Sequence, residues 1–111
     1  MEIAEQQAGE VTVVAVTGRI DSNTSKRFGE RLTDLIKAGR HRLVVDLNGI
    51  IYISSAGFRA LLVAGRRAEE SNGTLALCGL STEVQRLFDL GNFTDLFSIY
   101  ATRDEVLTKL A

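Results

Sequence analysis

At 111 residues the chain is long enough for one hydrophobic core and too short for two. Hydrophobic residues make up 45% and charged residues 24%, the balance of a globular rather than a disordered chain. Thirteen Lys and Arg against fourteen Asp and Glu leave a net charge of −1, which argues against a mainly electrostatic nucleic-acid binder.

The pattern alternates strand and helix signals at short intervals, with no repeat, no low-complexity stretch and no proline. Residues 2–7 predict a weak first strand, turned at Ala8-Gly9-Glu10 into the β-branched run 11–17. After Gly18, the polar run Asp21-Ser22-Asn23-Thr24 offers N-cap side chains to a helix. Phe28, Leu32, Leu35 and Ile36 recur along that helix, and Gly39 stops it. Leu43, Val44, Val45 and Leu47 read as a strand covered on both faces, closed by a turn at Asn48-Gly49. Ile50 to Ile53 then lead into Ser54-Ser55-Ala56-Gly57. The second helix carries Phe58, Leu61, Leu62 and Ala68 on one stripe, with Gly65 as a close-packing point.

Asn72-Gly73 opens a strand over 74–78, and Ser81 caps a third helix with Val84, Leu87 and Phe88 inward. A short strand near 97–100 precedes a capping box, Thr102-Arg103-Asp104-Glu105, and a last helix with Val106, Leu107 and Leu110. The expected architecture is one α/β domain over residues 1–111: a mixed, partly parallel sheet of four to five strands with about four helices. No apolar run approaches the ~20 residues of a membrane span, and Met1 to Glu10 lack the apolar stretch of a signal peptide. A cytoplasmic protein without membrane contact is expected.

The chemistry the residues support is narrow. One His and one Cys, 37 positions apart, give no metal ligand set, and no phosphate-binding glycine loop is present, so no cofactor is expected. Cys78 lies in an apolar run and reads as a buried small hydrophobe. Arg66-Arg67 reads as a solvated helix face. Ile53-Ser54-Ser55-Ala56-Gly57 invites comparison with the nucleophile elbow of hydrolases, but Ile53 stands where that elbow has Gly. His41, the one available base, opens the strand beyond whose far end the serines lie, roughly 20 Å away at ~3.3 Å per residue. Hydrolysis is therefore not expected, and the chain is read as a binding module rather than an enzyme.

Ser55 stands where the chain enters a helix. Its hydroxyl is expected to cap Gly57 or Phe58, and the same position tolerates a phosphate, because exposed N–H groups and the helix dipole favour anionic charge. Gly57 is expected to leave room beside the hydroxyl for a kinase. The residues alone leave cap and phosphosite both open.

Five segments carry a family likeness. Gly18-Arg19-Ile20-Asp21 resembles the G-x-[IL]-D turn of STAS domains. Leu43-Val44-Val45-Asp46-Leu47, followed eight residues later by Ser55-Ala56-Gly57-Phe58-Arg59-Ala60-Leu61-Leu62, resembles their strand, phosphoserine loop and second helix. Gly73 to Ser81 and Val84 to Leu90 resemble the next strand and helix. The resemblance implies an anti-sigma factor antagonist. In that group the unphosphorylated protein binds a serine-kinase anti-sigma factor of the histidine-kinase-like ATPase fold and so frees the sigma factor. The kinase then phosphorylates the loop serine, and a metal-dependent serine phosphatase reverses it.

By position, the acceptor is Ser55, with Ser54 as the lesser candidate. Ser54 stands where many antagonists have Asp. The implied partner face comprises Asp21, Ser22, Asn23, Thr24, Tyr52, Ser54, Ser55, Ala56, Gly57 and Phe58. Asp46, expected at a strand end, is open between a structural and a direct role. The alternative is a STAS scaffold or regulatory subunit of a signalling or transport complex, in which Ser55 is merely a cap or contact.

Overall fold

The computed structural model describes residues 1–110. Five strands, β1 (Glu2–Ala8), β2 (Val11–Ile20), β3 (Arg42–Ile53), β4 (Thr74–Cys78) and β5 (Ser98–Tyr100), form one sheet in chain order. β1 pairs antiparallel with β2 through the turn at Gly9, and all later neighbours pair parallel. Parallel neighbours need crossovers, and the helices supply them. These are α1 (Ser25–Lys37), α2 (Ser55–Glu70) and α3 (Thr82–Leu90), with α4 (Arg103–Leu110) following β5.

Side-chain period sorts the two faces of the sheet. Val14, Val16, Leu43, Val45 and Leu47 face α1, α2 and α3, whose Phe28, Leu32, Leu61 and Phe88 complete the main core. Val11, Val13, Val44, Ala76 and Cys78 face the other way, where Val106 of α4 closes a smaller core. Leu107 and Leu110 are half-buried against it, as are Leu62 and Leu87 on their own helices. A Cβ added at Gly65 would meet no atom within 4 Å, so Gly65 is not the expected close-packing point. That place belongs to Gly29, where an added Cβ would come within 3.3 Å of Ala60 Cβ across the α1–α2 contact.

The expected turn at Asn48-Gly49 does not form. β3 runs unbroken for 12 residues against the 10 of β2, and two register shifts absorb the difference. Across the first, the Asp46 carboxylate accepts the Asn48 N–H at 2.9 Å, holding the irregular segment inside the strand. Gly49 then lies so close to β2 that a Cβ would stand 2.5 Å from Thr17 Cγ2. An Asn-Gly pair that looks like a turn is here a strand position needing a bare backbone.

Asp46 is consequently in mid-strand rather than at a strand end. Its carboxylate meets Arg103 of α4, with Nη2 at 2.8 Å and Nε at 3.0 Å from Oδ2, and Arg103 also donates to Gln6 at 3.1 Å. This ties α4 to the back of the sheet. Beside it Cys78 is fully buried, and burial, with the Asp46 charge adding, pushes its thiol up to about 11.

Candidate functional site

β4 stops pairing with β3 at Asp46 and β1 stops pairing with β2 at Thr17, but β2 and β3 continue together to Ile20 and Ile53. The result is a two-stranded ribbon reaching past the rest of the sheet. Its strands are parallel, so both C-terminal ends emerge at one rim. There the Ser54 N–H donates to the Ile20 carbonyl at 2.8 Å, joining the turn after β2 to the start of α2.

The first of these segments is a self-satisfied turn rather than a side-chain cap. Thr24 stands at the N-cap of α1, but its side chain makes no cap bond to the helix. Instead the Asp21 carbonyl accepts the Ser25 N–H at 2.8 Å, and Asp21 Oδ1 accepts the Asn23 N–H at 2.9 Å and the Thr24 N–H at 3.2 Å. The Thr24 hydroxyl accepts the Asp21 N–H and donates to the Arg19 carbonyl, both at 2.9 Å. The Asn23 N–H, foremost among these donors, holds the Asp21 carboxyl below the usual carboxylate range. Asp21 is thus a fixed negative charge, while Ser22 and Asn23 are exposed beside it.

The second segment reverses the expected roles of the serines. Ser54 is the N-cap of α2, its Oγ accepting the Gly57 N–H at 3.3 Å. Ser55 is the first helical residue, exposed, and its hydroxyl has no hydrogen-bond partner among the described residues. The capping oxygen sits on Ser54 because an N-cap keeps extended backbone, and Ser54 has φ −89° and ψ 173°. The residue after it is free to point outward.

Gly57 and Phe58 are not on the surface. A Cβ on Gly57 would stand 2.7 Å from Ile53 Cγ1 and 2.8 Å from Ile20 Cγ2, so the glycine seats α2 on both strand ends and leaves no space for a kinase. Phe58 stacks on Phe93 at 4.4 Å and meets Phe88 edge-on at 4.7 Å, inside the core. Of the ten expected face residues, eight remain at the rim: Asp21, Ser22, Asn23, Thr24, Tyr52, Ser54, Ser55 and Ala56.

Two arginines that the sequence motifs contain, but that the expected face does not include, also lie at this rim. Arg19 lies over the Tyr52 ring at 4.5 Å and its Nε is 4.0 Å from Asp21 Oδ2, linking Tyr52, Arg19 and Asp21 along the ribbon. The signal available was position: Arg19 fills the variable place of Gly-x-Ile-Asp, and parallel pairing sets it opposite Tyr52. Arg59, exposed on α2, joins Ala56, Lys26 and Val63 around a groove of about 540 Å³ between α1 and α2. His41 precedes β3 and Ser55 follows it, so the strand's full 12 residues separate the imidazole from the hydroxyl. Among the described residues no three His, Cys, Asp or Glu side chains gather as a metal site requires, and no helix is long and apolar enough to cross a membrane.

The STAS domain model matches residues 2–106. The chain belongs to the STAS domain family. BtrV of Bordetella bronchiseptica is 26% identical over 104 residues, covering 94% of this chain and 90% of BtrV. The anti-sigma-B factor antagonist of Listeria monocytogenes is 26% identical over 106 residues, covering 96% of this chain and 92% of the relative. Among solved structures, SpoIIAA of Bacillus in its phosphorylated form superposes with a TM-score of 0.75 at 16% identity, covering 99% of this STAS domain and 100% of SpoIIAA. The five-stranded mixed sheet with four helices is the STAS fold.

Proposed function

We propose that this STAS protein is an anti-sigma factor antagonist controlled by phosphorylation of Ser55. Unphosphorylated, it binds a serine-kinase anti-sigma factor of the histidine-kinase-like ATPase fold through the rim made by Asp21–Thr24, Tyr52 and Ser54–Ala56, releasing the sigma factor. The observation that carries this reading is the Ser54 N–H to Ile20 carbonyl bond. It holds an exposed, unengaged hydroxyl next to a turn whose carboxylate is fixed and charged, so one partner surface can read both. The names of relatives such as the Listeria antagonist support the same role.

The chain contributes an acceptor and a shape, not catalysis. In the transfer, Ser55 Oγ attacks the γ-phosphorus of ATP bound by the kinase. The bond from that phosphorus to the bridging oxygen breaks, ADP leaves, and the hydroxyl proton passes to a base on the kinase. A metal-dependent serine phosphatase restores the hydroxyl. ATP as donor and a sigma factor as final target set this exchange in the cytoplasm, without contact between this chain and nucleic acid.

Ser55 carries the phosphate because its hydroxyl is free, whereas that of Ser54 is held by Gly57. Incubation with ATP and a kinase anti-sigma factor from the same genome, followed by phosphopeptide mapping, should find phosphate on Ser55 and none on the Ser55→Ala variant. Phosphate confined to Ser54, or self-labelling without the kinase, would overturn the reading.

A further inference from the structure

Arg59 is an unclaimed cation one helical turn from Ser55. It occupies position i+4 on α2, a helix of 16 residues, and among the described residues it makes no hydrogen bond and no ion pair. Residues four apart share a helix face, and helical side chains tilt toward the N-terminus, so a guanidinium at position 59, which lines the α1–α2 groove, is within reach of Ser55. The first turn of α2 contains no acidic residue to compete for the guanidinium, and Glu30 and Asp34, which line the groove from α1, make no ion pair with it among the described residues. The other nearby cation, Lys26 across the groove, is already 3.9 Å from Glu30.

We infer that Arg59 is the intramolecular clamp for a phosphate on Ser55. The inference rests on the reading of Ser55 as phosphoacceptor. A phosphate offers several acceptor oxygens and a guanidinium a planar fork of donors, so the two pair in bidentate fashion where a neutral hydroxyl offers little to hold. Phosphorylation then has a second consequence beyond added charge. It draws Arg59 out of the α1–α2 groove and up to the first turn of α2, removing a positive group from the groove beside Ala56. The phosphorylated and free proteins differ in two places on the partner-facing side.

The test uses full-length protein with phosphoserine inserted at position 55 by genetic encoding, so it does not depend on any kinase. The second ionisation of the phosphate, ordinarily near pH ~6, is followed by phosphorus NMR in the wild-type background and in Arg59→Gln, Lys26→Gln and Arg66→Gln. Arg66 is exposed on the same helix but beyond reach of Ser55, and controls for the loss of one charge. The expected result is a phosphate pKa lower by about half a unit or more than in Arg59→Gln. Lys26→Gln and Arg66→Gln should each shift it much less. The Arg59 side-chain N–H resonance should move on phosphoserine incorporation. A phosphate pKa equally affected by Arg59→Gln and Arg66→Gln, or governed by Lys26, would overturn the clamp. A kinase that leaves Ser55 unmodified would instead sink the proposed function while leaving this measurement intact.

Discussion

Ser54 and Ser55 are adjacent hydroxyls with opposite tasks, and single substitutions separate them. Ser54 Oγ satisfies the Gly57 N–H at 3.3 Å, a long bond for a cap. Ser54→Ala should therefore cost about 0.5–1 kcal/mol in urea unfolding, the lower part of the range for lost caps. Ser55→Ala should stay within about 0.5 kcal/mol of wild type, as an exposed residue without a partner should. Gly57→Ala is the severe change at this rim. Its Cβ would collide with Ile20 and Ile53, and overpacking of this kind costs about 1–3 kcal/mol. Amide shifts in that variant should concentrate at residues 20–22 and 53–58. The sequence announced a helix start with hydroxyls, but not which hydroxyl capped it, because neighbouring serines differ by one backbone conformation that periodicity does not encode. Gly57 is ambiguous in sequence for a related reason: a missing side chain looks the same whether solvent or two isoleucines fill the space.

At the scale of elements, α4 is the one helix among the described residues on its face of the sheet, and the Asp46–Arg103 pair fastens it. Arg103→Ala would leave a largely buried carboxylate with only the Asn48 N–H, at a cost of about 1–3 kcal/mol. Because α4 covers Cys78, the same variant should let a thiol reagent reach the cysteine under native conditions, while the wild-type thiol reacts only after denaturation. The thiol also has a pH signature. Its folded-state value near 11 lies above the ordinary ~8.5, so from about pH 8.5 the unfolded chain loses a proton that the folded chain keeps. Stability should fall as pH rises through that window, and more steeply in wild type than in Cys78→Ala, measured by urea unfolding at each pH. Helix positions, caps at Ser81 and Thr102, and the buried stripes were legible, since each rests on local spacing. The continuous β3 was not. Its 12 residues look like strand, turn and strand, because the bulges that carry Asn48 and Gly49 through the sheet depend on β2 beside them. Asp46 is equally opaque in sequence: its partner lies 57 positions away, on a helix that no local pattern ties to it.

For the whole molecule, the parallel pairing of β2 and β3 is the fact from which the site follows. It was expected from strands separated by a helix, and it brings two segments about thirty residues apart to one rim. That rim lies outside both cores, which decides how a phosphate there should act. The groups beneath Ser55 are Gly57 and Phe58, already packed on Ile20, Ile53 and Phe93, and none needs to move to admit a charge pointing into solvent. Protein bearing phosphoserine at position 55 should thus keep the circular dichroism spectrum of the free form. Its amide shift changes should be confined to the Asp21 turn and the first turns of α2. Binding should respond quite differently. Against a partner surface shaped for a neutral hydroxyl, the dianion must lose water without gaining a cation from that partner, and Arg59 balances only one of its two charges, which is costly. Moving the bound population from 99:1 to 1:99 takes about 5.5 kcal/mol of differential binding, a cost that desolvating the phosphate's remaining charge against the partner can supply. Calorimetry against the kinase anti-sigma factor at fixed ionic strength should show Ser55→Ala binding persistently and the phosphoserine form binding about ten-thousandfold more weakly, with Ser55→Asp in between as a single-charge mimic. Unchanged affinity of the phosphoserine form would refute a switch by local charge. Shift changes spread across β4 and α3 would show that the phosphate works by refolding the domain instead.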